Sequence, residues 1–424
     1  MRNTSKLLIS FFLITPLFAS AATLQQAYQS ALQKNETVGI AKEQVKQFSE
    51  RVSQVKGGIY PQLALNATHL VQPQPTDPLA RDFFPEKQTT INLAASQALF
   101  RGLREFAGLR QQKDLLASQE EIHRMTLVQI YADVATAYLN VLSLEKDIKN
   151  LEVQTKIYSE RVGELGARAR RGESNSNEVL TAQSTEAVLK ADLELARGQL
   201  RTARETFAFL TGMSPQETLQ DPDLTGSAKM DPLATYLKQI DNRYDIKAAQ
   251  KQLEAMDEEV SIAKGAHMPS LDLKGNYYFK RPEGFTEDLK WDVQLVFSMP
   301  LFEGGTTQSK VREAASKRIE ADLNVSRLRR LASQEISSYY ETLQTRKRQI
   351  EALQNAATLS ERNYQLMQRD YRRGLSRNID VQQSLTDFRI ASRALDQARF
   401  AVQMDLIKLQ IASAQILAPT AKEE

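Results

Sequence analysis

Residues 298–305 read Ser-Met-Pro-Leu-Phe-Glu-Gly-Gly, and they join an alternating apolar segment to a long helical pattern. A shorter version of this junction, Gln-Ala-Leu-Phe-Arg-Gly, occupies residues 97–102. The shift between the two junctions, from Gly102 to Gly304, is 202 residues. A pattern that returns at a constant shift indicates an internal structural repeat.

Two further markers support the repeat. The Arg-Arg-Gly of residues 170–172 returns at 372–374 with the same shift of 202. Upstream, Pro61 corresponds to Pro269 at a shift of 208, so a length difference of six residues lies in the segment between. We therefore predict that one structural unit is written twice in the chain.

The N-terminus has the pattern of a secretory signal peptide. Two basic residues precede an apolar core at residues 7–18, which is followed by Ala-Ser-Ala-Ala at 19–22. The apolar core is too short to span a bilayer as a helix. We predict that residues 1–22 are removed and that the mature protein begins near Ala22 or Thr23, outside the cytoplasm.

The composition narrows the classes of protein to which the chain could belong. The chain has 55 basic and 52 acidic residues, a net charge of +3, which gives no reason to expect a nucleic-acid partner. It has no Cys, which excludes disulfides and thiolate metal sites. Only 17 Gly and 13 Pro occur in 424 residues, which favours long helices. Beyond the signal we expect no apolar run long enough for a spanning helix, so any membrane insertion must use strands.

Catalytic and cofactor motifs are absent from the sequence. It contains no phosphate-binding GxxxxGK[ST] motif, no GxSxG elbow and no Cys nucleophile. His69, His123 and His267 have no ligand spacing among them. We therefore expect neither an enzyme nor a bound metal or cofactor.

Apolar residues at alternating steps of three and four predict packed helices with a heptad seam. The pattern covers roughly residues 24–57 and 175–211 of the first copy. Between them lies a run of about 65 residues, which spans roughly 95–100 Å as a helix. Its seam contains Val134, Val141, Leu144, Ile148, Leu151, Tyr158, Val162 and Leu165. The two shorter helices together are about as long as the central one and, placed end to end, can run beside it.

Each copy also contains a hairpin pattern of alternating apolar and polar residues. The return strand of the second copy has one apolar face, with Asp292, Gln294 and Ser298 on the other; the apolar face consists of Trp291, Val293, Leu295, Phe297 and Met299. Strands of about ten residues with this alternation suit a membrane β-barrel. An amphipathic hairpin that covers a soluble core is the alternative.

Four membrane strands cannot close a barrel, because about eight strands is the smallest closed form and an open sheet edge is not tolerated in lipid. Oligomerisation is therefore required if the strands lie in a membrane. Two chains give eight strands with a filled interior, whereas three give twelve and room for a lumen. A pore thus predicts at least a trimer.

The predicted organisation has five parts. Residues 1–22 are the signal peptide, residues 23–211 the first repeat and residues 233–415 the second, each with helix, β-hairpin, long helix and short helix. Residues 212–232, rich in Gly and Pro, form a linker or equatorial segment. Residues 416–424 form a flexible tail.

We call Arg171-Gly172 and Arg373-Gly374, which end the two long helical runs, the tips. The chain resembles the TolC family of outer-membrane efflux proteins in its duplicated unit, in the Pro-Leu-Phe-Glu-Gly-Gly at the end of a strand and in these two tips. The resemblance covers about residues 23–415. It implies a homotrimer, mainly α with a membrane β-barrel, in which a twelve-stranded β-barrel in outer-membrane lipid continues into a long α-helical barrel across the periplasm. It also implies a gated periplasmic tip that meets a periplasmic adaptor protein and an inner-membrane transporter.

The resemblance extends to the gate of the second repeat. Tyr371, Gly374 and Asp380 match the Tyr, the Gly and the first of two Asp residues that form the family's entrance constriction. Gln383 stands in the second Asp position. The resemblance therefore implies one acidic ring, from Asp380, which attracts cations into the pore. The alternative is that Asp380 is an acid favoured by the first turn of a helix.

Three further residues belong to this implied gate. Ser376 replaces the family's gate Arg, with Arg377 one place later. Glu178, in the first repeat, stands where the family has an Asp that bonds the gate Tyr. The resemblance implies a closing contact between Tyr371 and Glu178.

The two tips also lie where family members contact the adaptor. The implied contact residues are Arg171, Gly172 and Glu173 in the first copy and Arg373, Gly374 and Leu375 in the second. Arginines at the C-termini of helices are equally explained by the helix dipole.

A protein of another class remains open as an alternative: a periplasmic coiled-coil scaffold or adaptor without a pore. Such a protein has β-rich lobes around a single helical hairpin, whereas here strands lie inside each of two copies. Within the channel class, drug or small-molecule efflux and type I protein secretion are both open, and the energy must come from a partner.

Overall fold

The computed structural model describes residues 21–416 except 74, 77–83, 85, 223–229 and 282–286. Most of the predicted signal peptide, the tail from 417 and part of the predicted linker lie outside the described residues. The division into signal peptide, two repeats, linker and tail stays a prediction.

The two halves have the same order of helices and strands, apart from one 3₁₀ helix in the second. The first has α1 Leu24–Lys34, α2 Glu36–Gly57, β1 Gln62–Val71, β2 Lys87–Arg101, α3 Arg104–Arg170 and α4 Ser176–Thr211. The second has α5 Leu233–Leu237, a 3₁₀ helix Ile240–Asn242, α6 Tyr244–Gly265, β3 Ser270–Lys280, β4 Trp291–Ser298, α7 Thr306–Arg372 and α8 Asn378–Ala412. Helices α3 and α7 both have 67 residues, and their bounds differ by the predicted shift of 202. Helices α2 and α6 both have 22 residues, at the predicted shift of 208.

The first predicted helix, 24–57, is two helices in the structure. Asn35 lies between them in an extended conformation, and its side chain accepts a hydrogen bond from Thr37 N–H. This is a helix N-cap, which satisfies one of the free N–H groups at the start of α2. The heptad pattern continues across the break, so periodicity alone does not reveal it.

The four strands form one antiparallel sheet in the order β1-β2-β3-β4. The pairing of β2 with β3 joins the two halves, for example at Leu93 and Tyr277, with a register shift between Ala98 and Phe100. Strands β1 and β4 are the edges of this sheet. The sheet is therefore open in a single chain.

The chain divides into two compact units, and α3, α7 and α8 each contribute to both. Unit 1 contains the described residues of 1–34, 133–228 and 349–404. Its core includes Ile148, Leu151, Tyr158, Leu189, Leu193, Ala196 and Leu385. Unit 2, with the remaining described residues, contains the sheet.

Tyr138 of unit 1 ties α3 to the segments on either side of the first repeat. Its hydroxyl donates to the carbonyls of Ala22, at 2.7 Å, and of Gln220. Ala22 N–H in turn donates to Thr218 at 2.7 Å. Burial raises the pKa of Tyr138 to about 12, so the phenol remains a donor throughout the physiological range.

One stretch of α3 meets the hydropathy and length criteria for a membrane span, contrary to the sequence expectation. However, 56% of that window is buried inside the protein. The apolar side chains of a long core helix account for this composition, because such a helix buries much of its surface against its neighbours.

Candidate functional site

Both long helices end in the same capping structure at the tips. Gly172 and Gly374 have φ of +77° and +75°, a left-handed conformation that favours glycine. Gly172 N–H donates to Ala169, and the next residue donates to the carbonyl of Arg168. The second tip repeats this pair of bonds, which defines a Schellman motif. The sequence Arg-Gly thus ends each helix as predicted.

Tyr371, near the end of α7, is clamped by two arginines of α3. The guanidinium of Arg161 lies 5.3 Å from the ring centroid, and that of Arg168 lies 4.9 Å from it. Both distances are within the range of a cation–π contact. The ring therefore fastens the end of α7 to α3.

Arg161 is a buried cation at the centre of this cluster. It is 7% exposed, and no carboxylate of the described residues lies within ion-pair distance of it. One Nη donates to Oδ1 of Asn378, which is itself 3% exposed and begins α8, while Nε has no hydrogen-bond partner in the structure. Arg161 thus links α3 to both α7, through Tyr371, and α8, through Asn378.

Glu178 and Ser376 lie beside this cluster but make other bonds. The Glu178 carboxylate accepts a hydrogen bond from Ser174 Oγ, and Ser376 Oγ donates to the Met367 carbonyl at 3.1 Å. No hydrogen bond joins Tyr371 to Glu178 within this protomer. Burial raises the pKa of Tyr371; Arg168 opposes this shift, and the Glu178 carboxylate adds to it. The implied closing contact of Tyr371 with Glu178 stays a prediction for the assembled channel.

Asp380 is the third residue of α8, and its carboxylate makes one half of a capping box. Its carboxylate accepts from Arg377 N–H at 3.0 Å and from the Arg377 guanidinium at 3.3 Å. The side chain reaches back to the free N–H at the helix start, as in a capping box. These bonds from Arg377, the side-chain bond first, hold the pKa of Asp380 below its ordinary value. Gln383, one turn on, donates to Asp387 at 2.9 Å.

The two tips present different surfaces. In the first, Arg171 and Glu173 form a two-bond ion pair at 2.9 and 3.0 Å. In the second, Leu375 takes the place of Glu173 and is 74% exposed, next to exposed Arg373. A Schellman motif normally covers an apolar residue at this position. The exposed Leu375 therefore makes the second tip the more apolar of the two.

The predicted membrane face of β4 is exposed in the single chain. Trp291, Val293, Leu295 and Phe297 are between 61% and 68% exposed. Met299, also predicted on this face, lies one residue beyond the end of β4, because the pairing with β3 stops at Ser298 opposite Ser270. The apolar face of the strand thus has four residues rather than five.

Sequence reasoning missed Arg161. The predicted seam contained Val162, but Tyr158, Arg161 and Leu165 are the buried residues, spaced by three and four. A charged residue at a seam position was the available signal, because a buried cation requires a compensating partner. A metal site was also considered: in the described part of the chain, no group of three or more His, Cys, Asp or Glu residues could hold a metal ion.

Comparison of the sequence with known proteins supports the family that the motifs suggested. The sequence profile described as "Outer membrane efflux protein" matches residues 27–213 and 236–415. The chain is similar to the outer membrane protein TolC of Escherichia coli, with 21% identity over 90% of this chain and 80% of that protein. It is equally similar to the outer membrane efflux protein BepC of Brucella suis, with 21% identity over 92% and 85% of the two chains.

A solved structure shows the same fold. The outer membrane protein VceC of Vibrio cholerae has a TM-score of 0.82 at 19% identity and covers 92% of this chain and 95% of its own. This likeness confirms the predicted fold class, mainly α with a membrane β-barrel. The number of copies that complete the barrel stays a prediction. The family profile spans both halves and most of the chain, so the protein belongs to the outer membrane efflux protein family.

Proposed function

We propose that three copies of this chain form the outer-membrane channel of a tripartite export system, together with a periplasmic adaptor and an inner-membrane transporter. The observation that carries the proposal is the open sheet: β1 and β4 are unpaired edges, and the apolar face of β4 is exposed. Lipid cannot satisfy the backbone groups of such edges, so neighbouring copies must pair with them. Three copies give twelve strands, and a trimer is the smallest assembly of this chain in which the barrel has room for a lumen.

The proposed gate is the cluster of Arg161, Arg168, Tyr371 and Asn378. In it, one buried cation of α3 holds the end of α7 and the start of α8. A desolvated cation–π contact contributes about 2 kcal/mol, and a hydrogen bond to a charged group about 1.5–3 kcal/mol. Interactions of this size keep the tip closed at rest. A partner that opens the tip by separating α7 and α8 from α3 must supply at least as much binding free energy.

A strain that lacks the gene provides the test of function. Cells without the gene should accumulate more of a fluorescent hydrophobic dye than the parent, and the intact gene should reverse this. Such a result assigns the channel to drug or small-molecule efflux. Unchanged dye with proteins missing from the culture medium assigns it to type I secretion. If neither dye nor secreted protein changes in a strain that also lacks redundant efflux channels, the export proposal fails.

Asp380 provides a test of the acidic ring. Because Arg377 already pairs with the carboxylate, we expect a modest cation preference in wild-type channels. Asp380→Asn should reduce it, and Arg377→Gln should increase it. Reversal potentials in a potassium chloride gradient across a lipid bilayer measure both changes, with Glu50→Gln, at an exposed carboxylate of α2 outside the gate, as the control.

The pH dependence of this preference follows from the pKa of Asp380. A lowered pKa means that the charge is present above it and is lost only as the pH falls through it. The reversal potential should therefore stay constant from pH 7 to about pH 5, above the ordinary aspartate value of about 3.9. A loss of selectivity already between pH 6 and pH 5, or no effect of either substitution, would contradict the ring.

A further inference from the structure

Two peptide bonds at the end of the predicted signal peptide are suitable for cleavage, because signal peptidases require small residues one and three positions before the cut. Ala19 and Ala21 hold these positions for a cut after Ala21. Ser20 and Ala22 hold them for a cut after Ala22, which leaves Thr23 as the first residue. The two mature chains differ by one residue, Ala22, and the surroundings of that residue distinguish between them.

Ala22 is part of the fold of unit 1. It is 4% exposed, and it pairs with Leu219 in an isolated parallel bridge. Its N–H donates to the Thr218 carbonyl at 2.7 Å, and its carbonyl accepts from Gln220 N–H at 3.0 Å. The same carbonyl accepts from the buried Tyr138 hydroxyl at 2.7 Å. A chain without Ala22 loses all three bonds, each of which contributes to stability.

Thr23 is the N-cap of α1 and forms both halves of a capping box. Its Oγ1 accepts from Gln26 N–H at 3.2 Å, and its own N–H donates to Gln26 Oε1 at 2.9 Å. In a chain that begins at Thr23, this N–H becomes a charged ammonium group at the start of α1. The helix dipole disfavours a cation at that position. In a chain that begins at Ala22, the N–H of Thr23 remains a neutral amide.

From these two observations we propose that processing hydrolyses the bond between Ala21 and Ala22, and that the new N-terminal residue has a structural role. Hydrolysis gives Ala21 the new carboxyl group and Ala22 the new amino group, which still donates to the Thr218 carbonyl. Ala22 then holds the start of α1 to residues 218–220 and, through Tyr138, to α3. The proposal concerns maturation and does not depend on the proposed export function.

N-terminal sequencing of protein purified from membranes of cells that express the full-length gene tests the site of the cut. The wild-type protein should read Ala-Thr-Leu-Gln. Ser20→Leu removes a small residue that only the later cut requires, so it should give the same sequence. Ala21→Leu removes one that only the earlier cut requires, so it should give no chain that begins at Ala22. A wild-type protein that begins at Thr23 or retains Met1 would overturn the proposal, as would an Ala21→Leu protein that begins at Ala22.

Two further variants test the structural role. Deletion of Ala22 leaves Ala19 and Ala21 before the cut and gives a mature chain that begins at Thr23. Ala22→Gly keeps the main-chain N–H and carbonyl and is the matched control. Thermal unfolding followed by circular dichroism should show a midpoint lowered by about 5 °C or more in the deletion and a much smaller change in Ala22→Gly.

An unchanged midpoint in the deletion would overturn the structural role, as would an equal loss in Ala22→Gly. A failure of the deletion variant to fold, beside a stable Ala22→Gly protein, supports it. If wild-type protein conducts ions across a bilayer but begins at Thr23, this proposal fails while the proposed channel stands.

Discussion

Replacing Gly102 with alanine should reduce the amount of folded protein more than any other single methyl group added at a glycine of the two junctions. Gly102 follows β2 with φ of +69°, and a Cβ there would lie 2.3 Å from the carbonyl oxygen of Gly265, at the end of α6. An L-residue in this conformation costs about 1–2 kcal/mol, and overpacking adds about 1–3 kcal/mol. Backbone rather than a flexible side chain is in the way, so relief requires movement of α6.

Two matched variants separate these contributions. Gly304, the counterpart of Gly102 in the second copy, has φ of +61° but nothing within 4 Å of the added Cβ, so Gly304→Ala reports backbone strain alone. Gly265 is helical, and its Cβ would lie 2.6 Å from both the Gly102 carbonyl oxygen and Arg104 Cγ, so Gly265→Ala reports close contact without backbone strain. Thermal unfolding followed by circular dichroism should rank Gly102→Ala as the least stable of the three. A Gly304→Ala protein as unstable as Gly102→Ala would contradict the close approach of β2 and α6.

The second large effect is expected at the second tip. Leu375→Glu should lower export to the level of a strain without the gene, while the protein folds normally. Leu375 is 74% exposed, so its substitution removes little packing within the chain. At the centre of an interface, loss of an apolar anchor costs about 2 kcal/mol or more, a weakening of at least about thirtyfold. Dye accumulation in cells measures export, and immunoblots of membranes measure the amount of protein.

The substitution has a natural counterpart and a control. Glutamate already stands at the equivalent position of the first tip, Glu173, so the Schellman motif accepts it. Val153→Glu introduces the same charge at a side chain of α3 that is 60% exposed and far from both tips along the chain. Export should fail in Leu375→Glu and continue in Val153→Glu. Normal export by Leu375→Glu would remove the second tip from the proposed adaptor contact.

Much of the fold follows from the sequence because its signals are local and repeated. Proline and glycine fix the ends of α2, α6 and the two long helices, and the same spacing appears twice, so each copy supports the other. The break at Asn35 could not be predicted in this way, because an N-cap changes the backbone conformation of one residue without disturbing the heptad pattern. The end of β4 before Met299 could not be predicted either, because the length of the strand is set by its pairing with β3 rather than by the alternation of side chains.

For the gate, the sequence predicted some of the residues but not their contacts. Tyr371 and Asp380 were identifiable by resemblance, but their bonds depend on three-dimensional packing. Asp380 pairs with Arg377 at the start of α8, as the helix-start alternative allows. Arg161 contacts Tyr371 across 210 residues of chain, and no local pattern links the two. Only the packing of α3 against α7 and α8 brings the three helices to one cation.

Conductance of the purified full-length protein across a planar lipid bilayer tests the central claim, an export channel closed at its tip by Arg161. Wild-type protein should give discrete steps of low conductance. Arg161→Gln, which retains a donor for Asn378 but removes the cation from Tyr371, should give larger and longer openings, and Arg161→Lys should lie closer to wild type. The absence of steps from all three proteins would contradict a pore, and identical steps from all three would contradict closure by Arg161.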